Sequence, residues 1–102
     1  MIHVVAVITA KPGQRNTILE FFRANVPAVL AEDGCIEYGA AVDTDNAPAL
    51  QTKYGADTFL VIEKWRDIDA LKAHAAAPHM AAYGAKAREH IASRIIHILS
   101  PT

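Results

Sequence analysis

The chain has 102 residues, a formal charge of −1 and a single cysteine, Cys35. That is one domain with a modest core and no intrachain disulfide. Charges of both signs are scattered, without the basic stripe of a nucleic-acid binder or the polybasic run of a membrane-surface protein. About half the residues are apolar and only 21% are charged, which is rich for a small monomer and points to a subunit interface. No apolar run approaches transmembrane length, and the N-terminus has no signal-peptide pattern. With one cysteine, the expected location is cytoplasmic.

Ile2 to Thr9 (IHVVAVIT) is dense in β-branched residues and apolar on both faces, so it reads as a strand covered on both sides. Lys11-Pro12-Gly13 ends it. From Gln14 to Asp33 the period changes. Ile18, Leu19, Phe22, Val26, Val29 and Leu30 form one wide helical stripe. Pro27 lies inside this helix and removes a backbone bond to the Arg23 carbonyl, either bending the axis along the sheet or freeing a carbonyl toward a cavity. Gly34 is expected as a left-handed helix cap. Cys35 to Thr44 reads as the second strand, with Gly39 marking a bulge or a close backbone approach. Asp45 to Asp57 is turn-rich and reads as a connection or a lid.

Thr58 to Arg66 is the third strand. Phe59, Val61, Glu63 and Trp65 share one face, and Leu60, Ile62 and Lys64 the other. Asp67 caps a short helix to Ala76 that carries His74. Pro78 restarts the chain as a third helix to about Ile91, with His79, Met80 and Tyr83 in its first turns. Ser93 to Ser100 is the fourth strand. The order β-α-β-β-α-α-β is close to the ferredoxin-like α+β pattern with an antiparallel sheet. Helices can cover one sheet face only. The other needs a second sheet, so a homodimer with sheets packed face to face or wrapped into a barrel is expected.

The polar residues that could carry chemistry cluster between Phe59 and Tyr83. His74 is either a general base or a buried histidine satisfied by a backbone carbonyl. Glu63, on an apolar face, must be paired, hydrogen-bonded or protonated. Its partner is either a basic residue or a histidine whose tautomer it fixes. Trp65 is either a stacking wall for a flat substrate or core packing. His79, Tyr83, Lys86 and His90 recur at helical spacing, and His79 and Tyr83 are the pair nearest the His74 turn. Five histidines include no HExxH and no i, i+4 pair on one helix, so no metal site is expected. No Gly-rich phosphate fingerprint supports flavin or nicotinamide binding. Cys35 has no neighbouring base and reads as packing.

The motifs Phe59-x-x-Ile62-Glu63-x-Trp65 and Leu71-x-x-His74-x-x-x-Pro78-His79-Met80 resemble the antibiotic biosynthesis monooxygenase family, nearest to its quinol monooxygenase branch. So do Lys11-Pro12-Gly13, Val26-Pro27-x-Val29-Leu30, Glu32-Asp33-Gly34-Cys35-x-x-Tyr38 and Arg94-Ile95-x-x-Ile98-Leu99-x-Pro101, which extend the likeness over essentially the whole chain. The resemblance implies a dimeric α+β barrel. It also implies oxygenation of a small quinol or polyphenol by O2 without metal, flavin or haem. On that reading His74 is the base, Glu63 supports a histidine, and Trp65 is the stacking wall. His79 and Tyr83 orient substrate hydroxyls, and Phe22 joins them in the substrate site. Haem-degrading relatives use Asn, Trp and His where this chain has Ala6, His74 and Gly84, which argues against haem chemistry. The sequence shows no evident basic cluster for a phosphate, so the sugar-phosphate isomerase reading ranks below the quinol one. The alternative from another class is a small-molecule-binding dimer without turnover.

Overall fold

The computed structural model describes residues 1–102. Four strands, β1 (Ile2–Ala10), β2 (Cys35–Ala41), β3 (Thr58–Trp65) and β4 (Ile91–Leu99), form one sheet in the order β2-β3-β1-β4, with every neighbouring pair antiparallel. Three helices, α1 (Arg15–Leu30), α2 (Ile68–Ala75) and α3 (Pro78–Ala87), complete the open ferredoxin-like α+β fold. A 3-10 turn, Arg88–His90, joins α3 to β4.

Side-chain alternation sets the two sheet faces. On β1, Val4, Ala6, Ile8 and Ala10 are buried, while Val5, Val7 and Thr9 on the opposite face are half-buried. The register carries this across the sheet. Val4 lies opposite Glu63 on β3 and Ile98 on β4, and Ile8 opposite Phe59 and Arg94. The inner face thus holds Phe59, Val61, Glu63 and Trp65. α1 presses Ile18, Leu19, Phe22 and Val29 against it and lies along β2 and α3. Trp65, Phe59, Ile18 and Val29 are the largest completely buried side chains.

Several boundaries differ from the sequence reading. α1 runs through Pro27 but ends at Leu30, with Ala31 in a right-handed conformation as its cap. Gly34 is therefore not the helix cap. It belongs to the turn after the helix, where the Cys35 N–H donates to the Glu32 carbonyl at 3.2 Å. Its φ is +85°, and a Cβ there would lie 2.6 Å from the Cβ of Ala70, so glycine lets the turn pass against α2. The bulge in β2 is not at Gly39, which pairs in register with Ile62. The register slips between Cys35 and Glu37, leaving Ile36 as the extra residue, half-exposed. β2 stops at Ala41 rather than Thr44. α3 stops at Ala87 because the chain tightens into the 3-10 turn, so β4 begins at Ile91, two residues earlier than the pattern suggested.

The long connection from Val42 to Asp57 is folded on itself. The Asp43 carboxylate accepts from the Tyr54 and Gly55 N–H groups at 3.0 and 2.9 Å. Asp57 accepts from the Gly13 N–H at 3.0 Å, which ties the connection to the entry of α1.

The helices leave much apolar surface uncovered. On the outer sheet face Ile62, Ile95 and Leu99 are 37%, 54% and 48% exposed. No helix is long and apolar enough to cross a membrane.

Candidate active site

Strand alternation turns Glu63 and Trp65 inward. The indole N–H of Trp65 donates to Glu63 Oε1 at 2.9 Å, so the carboxyl has a fixed direction. Asp67 then caps α2 by accepting from the Ala70 N–H at 2.9 Å. Two helical turns past the cap, His74 meets the sheet and is 5% exposed. Its ring centroid lies 4.5 Å from that of Trp65 and 5.5 Å from that of Tyr38.

The imidazole is held from two sides by carboxyl groups. Nδ1 lies 2.8 Å from Glu32 Oε2, and Nε2 lies 3.9 Å from Glu63 Oε1. A carboxylate only accepts, so Nδ1–H donates to Glu32, and in the neutral ring Nε2 keeps its lone pair. The histidine partner expected of Glu63 is thus held instead by Glu32. Glu63 stands beyond hydrogen-bond reach on the far side of the ring. Burial raises the Glu63 carboxyl above the ordinary carboxylate range, and the charge of Glu32 adds to this. The Trp65 N–H and His74 offset part of the rise. Burial likewise raises the phenols of Tyr38 and Tyr83, so both remain donors. Cys35 is pushed up by burial and by the two glutamates, which keeps it a thiol.

Between the sheet and α2/α3 lies a cavity of about 630 Å³ with mostly apolar walls, a size that suits a small organic ligand. Val4, Ala6 and Ile8 form its floor, and Ile96 and Ile98 of β4 continue it toward solvent. Of the six residues singled out from sequence, His74, Glu63, Tyr83 and Phe22 border this cavity. Phe22 stacks on Tyr38 with centroids 5.2 Å apart, and Tyr83 meets Phe22 edge-on at 6.2 Å.

The other two do not reach it. Trp65 is completely buried behind His74, so it is not a stacking wall for a substrate. Its indole anchors Glu63 and backs the imidazole instead. His79 turns toward Glu32. Its Nε2 is 3.2 Å from Glu32 Oε2, yet the ring is misaligned, and both its nitrogens are sealed from solvent without a hydrogen bond. No residue of the 42–57 connection lines the cavity, so it is not a lid over this site.

Sequence reasoning missed Glu32, Tyr38, Arg88 and Arg94. Glu32 is 42 residues from His74, in a turn that read as a helix end. Its one signal was its place in the Glu32-Asp33-Gly34-Cys35-x-x-Tyr38 motif. Arg88 and Arg94 flank the junction into β4 and made no visible cluster, but both border the cavity. No three His, Cys, Asp or Glu side chains converge so as to hold a metal ion.

An antiparallel sheet over an apolar hollow, with a buried acid–imidazole pair at its wall, makes this a ferredoxin-like α+β fold with a cavity of small-molecule size. Residues 1–86 match the family model described as antibiotic biosynthesis monooxygenase, and the chain belongs to that family. It is 37% identical over 103 residues to the protein named Probable quinol monooxygenase YgiN of Escherichia coli (strain K12), covering 99% of this chain and 98% of that one. Among solved structures, PA3566 from Pseudomonas aeruginosa superposes with a TM-score of 0.82 at 27% identity, covering 99% of this chain and 93% of that one. Rv0793 from Mycobacterium tuberculosis has the same fold, with a TM-score of 0.80 at 24% identity over 99% of this chain and 94% of that one. The family and the likeness to YgiN support a monooxygenase-type activity.

Proposed function

We propose that this chain is a cofactor-independent monooxygenase that oxygenates a small quinol or polyphenol with O2, acting as a homodimer in the cytoplasm. The observation that carries the reading is the His74 ring at the edge of a 630 Å³ apolar cavity, fixed at Nδ1 by Glu32 at 2.8 Å. That bond leaves Nε2 as a base of one defined tautomer.

Ground-state O2 reacts poorly with closed-shell molecules, but an ionised quinol is electron-rich enough to give it one electron. His74 Nε2 takes a phenolic proton, and the negative charge of Glu32 stabilises the imidazolium that forms. The resulting radical pair joins, forming a C–O bond at a ring carbon next to the ionised oxygen. Loss of that carbon's proton and cleavage of the O–O bond release water. One quinol and one O2 give one hydroxyquinone and one water, and the substrate supplies all the electrons. Tyr83, held as a neutral phenol, donates to a substrate oxygen. The apolar walls keep bulk water from the intermediate.

The dimer reading rests on uncovered surface. The chain exposes 6427 Å², against roughly 5,600 Å² for a monomer of its 11.0 kDa mass. Ile62, Ile95 and Leu99 lie together on the face that no helix covers.

Oxygen uptake with reduced naphthoquinones, using protein freed of metal and flavin, tests the reaction. The expected result is uptake above the buffer rate, lowered about 10²- to 10⁴-fold in His74→Ala. Uptake at the buffer rate for several quinols would leave a binding protein without turnover. Full activity in His74→Ala would remove the base.

A further inference from the structure

The two ends of the cavity differ in charge. Glu63 and His74 stand at one end, level with Val4 on β1. Arg94 stands at the other, opposite Ile8. Four residues along β1 and two strand spacings separate the Glu63 and Arg94 backbones, roughly 13 Å along the strand and roughly 10 Å across it. Arg88 joins the Arg94 end, in the turn that feeds Ile91 into place opposite Ala10. Both arginines border the cavity from its solvent-exposed rim, and none of the ion pairs within the chain involves either of them. Arg94 also lies close enough to Tyr83 to oppose the effect of burial on that phenol.

An apolar cavity with a base at one end and two unpaired cations at the other selects a ligand of matching polarity. Guanidinium groups suit a planar carboxylate, which they bind through paired N–H donors. We infer that the substrate is a quinol or polyphenol that carries a carboxylate, with one ring hydroxyl at His74 and the carboxylate at Arg94 and Arg88. This rests on the reading of the cavity as an aromatic-substrate site and adds the substrate class. Arg94 and Arg88 are then specificity-determining residues that leave the proton transfer to His74.

The test uses ligands that do not react with O2. Binding of 6-hydroxy-2-naphthoate and 6-hydroxy-2-naphthamide to the full chain is measured by titration calorimetry, at low and high salt. The acid is expected to bind roughly tenfold or more tighter than the amide, as for a hydrogen bond to a charged group. That preference should shrink with salt and largely vanish in Arg94→Gln, with amide affinity unchanged. Equal affinity for acid and amide in the parent chain would overturn the inference. So would an Arg94→Gln variant that weakens both ligands alike. If the preference holds while quinol oxygenation is absent, the acid subsite stands and the oxygenase reading falls. If quinols turn over and acid and amide are not distinguished, the inference alone falls.

Discussion

Glu32 and Glu63 flank the same imidazole with different consequences. Glu32 accepts the hydrogen bond from Nδ1–H and compensates the charge that forms when Nε2 takes a proton. Glu32→Gln retains an oxygen that can accept from Nδ1 but removes the compensating charge. Its kcat for quinol oxygenation should fall roughly ten- to a hundredfold, about 1.4 to 2.7 kcal/mol in barrier, with KM little changed. Glu63 is buried and its pKa is raised from 4.5. Between 4.5 and the raised value the folded chain holds more protons than the unfolded one, so the contribution of Glu63 to stability falls as pH rises. Glu63→Gln keeps an acceptor for the Trp65 N–H and does not ionise. Its melting temperature relative to the parent should therefore climb as pH is raised from about 4 to about 8; a pH-independent difference would contradict the burial argument. His74 and Glu63 were legible in the sequence because a cap and a two-residue alternation fix their directions. Glu32 was not, since its partnership depends on how a turn docks against a helix far away in the chain.

At the scale of elements, the active-site geometry depends on the turn between α1 and β2. This turn carries Glu32 and packs Gly34 on Ala70, one helical turn before His74. Arg66 clamps it from outside, donating to both oxygens of Asp33 at 3.1 and 3.0 Å. Gly34→Ala forces a side chain into a left-handed conformation and into contact with Ala70. The cost is about 1–3 kcal/mol of backbone strain before any shift of the turn. A melting temperature lower by about 4–8 °C per kcal/mol is expected by calorimetry, with a loss of activity larger than the unfolded fraction explains. Element order and type were readable throughout, because β-branched runs mark the strands, a wide apolar stripe marks α1, and Asp67 and Pro78 mark the starts of α2 and α3. Two of the misreadings fall at glycines. Gly34 and Gly39 were both given backbone roles, but a glycine is silent about whether its neighbour in space is helix, strand or solvent. The bulge arose at Ile36, an ordinary strand former with no local mark.

At the scale of the whole molecule, the proposed dimer rests on the outer sheet face. Light scattering at micromolar concentration should give twice the 11.0 kDa chain mass. Ile95→Glu, which sets a charge in the middle of the proposed contact, should halve it. A parent chain that runs as a monomer would overturn the covered-face argument. Apolar richness and strands greasy on both faces are the sequence's grounds for expecting an interface. The cation-bearing end of the cavity was not legible there, because Arg88 and Arg94 border a cavity that exists only once β4 is laid beside β1.

β4 has a neighbour on one edge only, yet both its surfaces are spoken for. Ile95 and Leu99 would meet a second subunit, while Arg94, Ile96 and Ile98 border the cavity. One ribbon then reports to two clients, and whatever steadies it for one steadies it for the other. Dilution that separates subunits should loosen the grip on ligand, and saturating ligand should by the same factor draw subunits together.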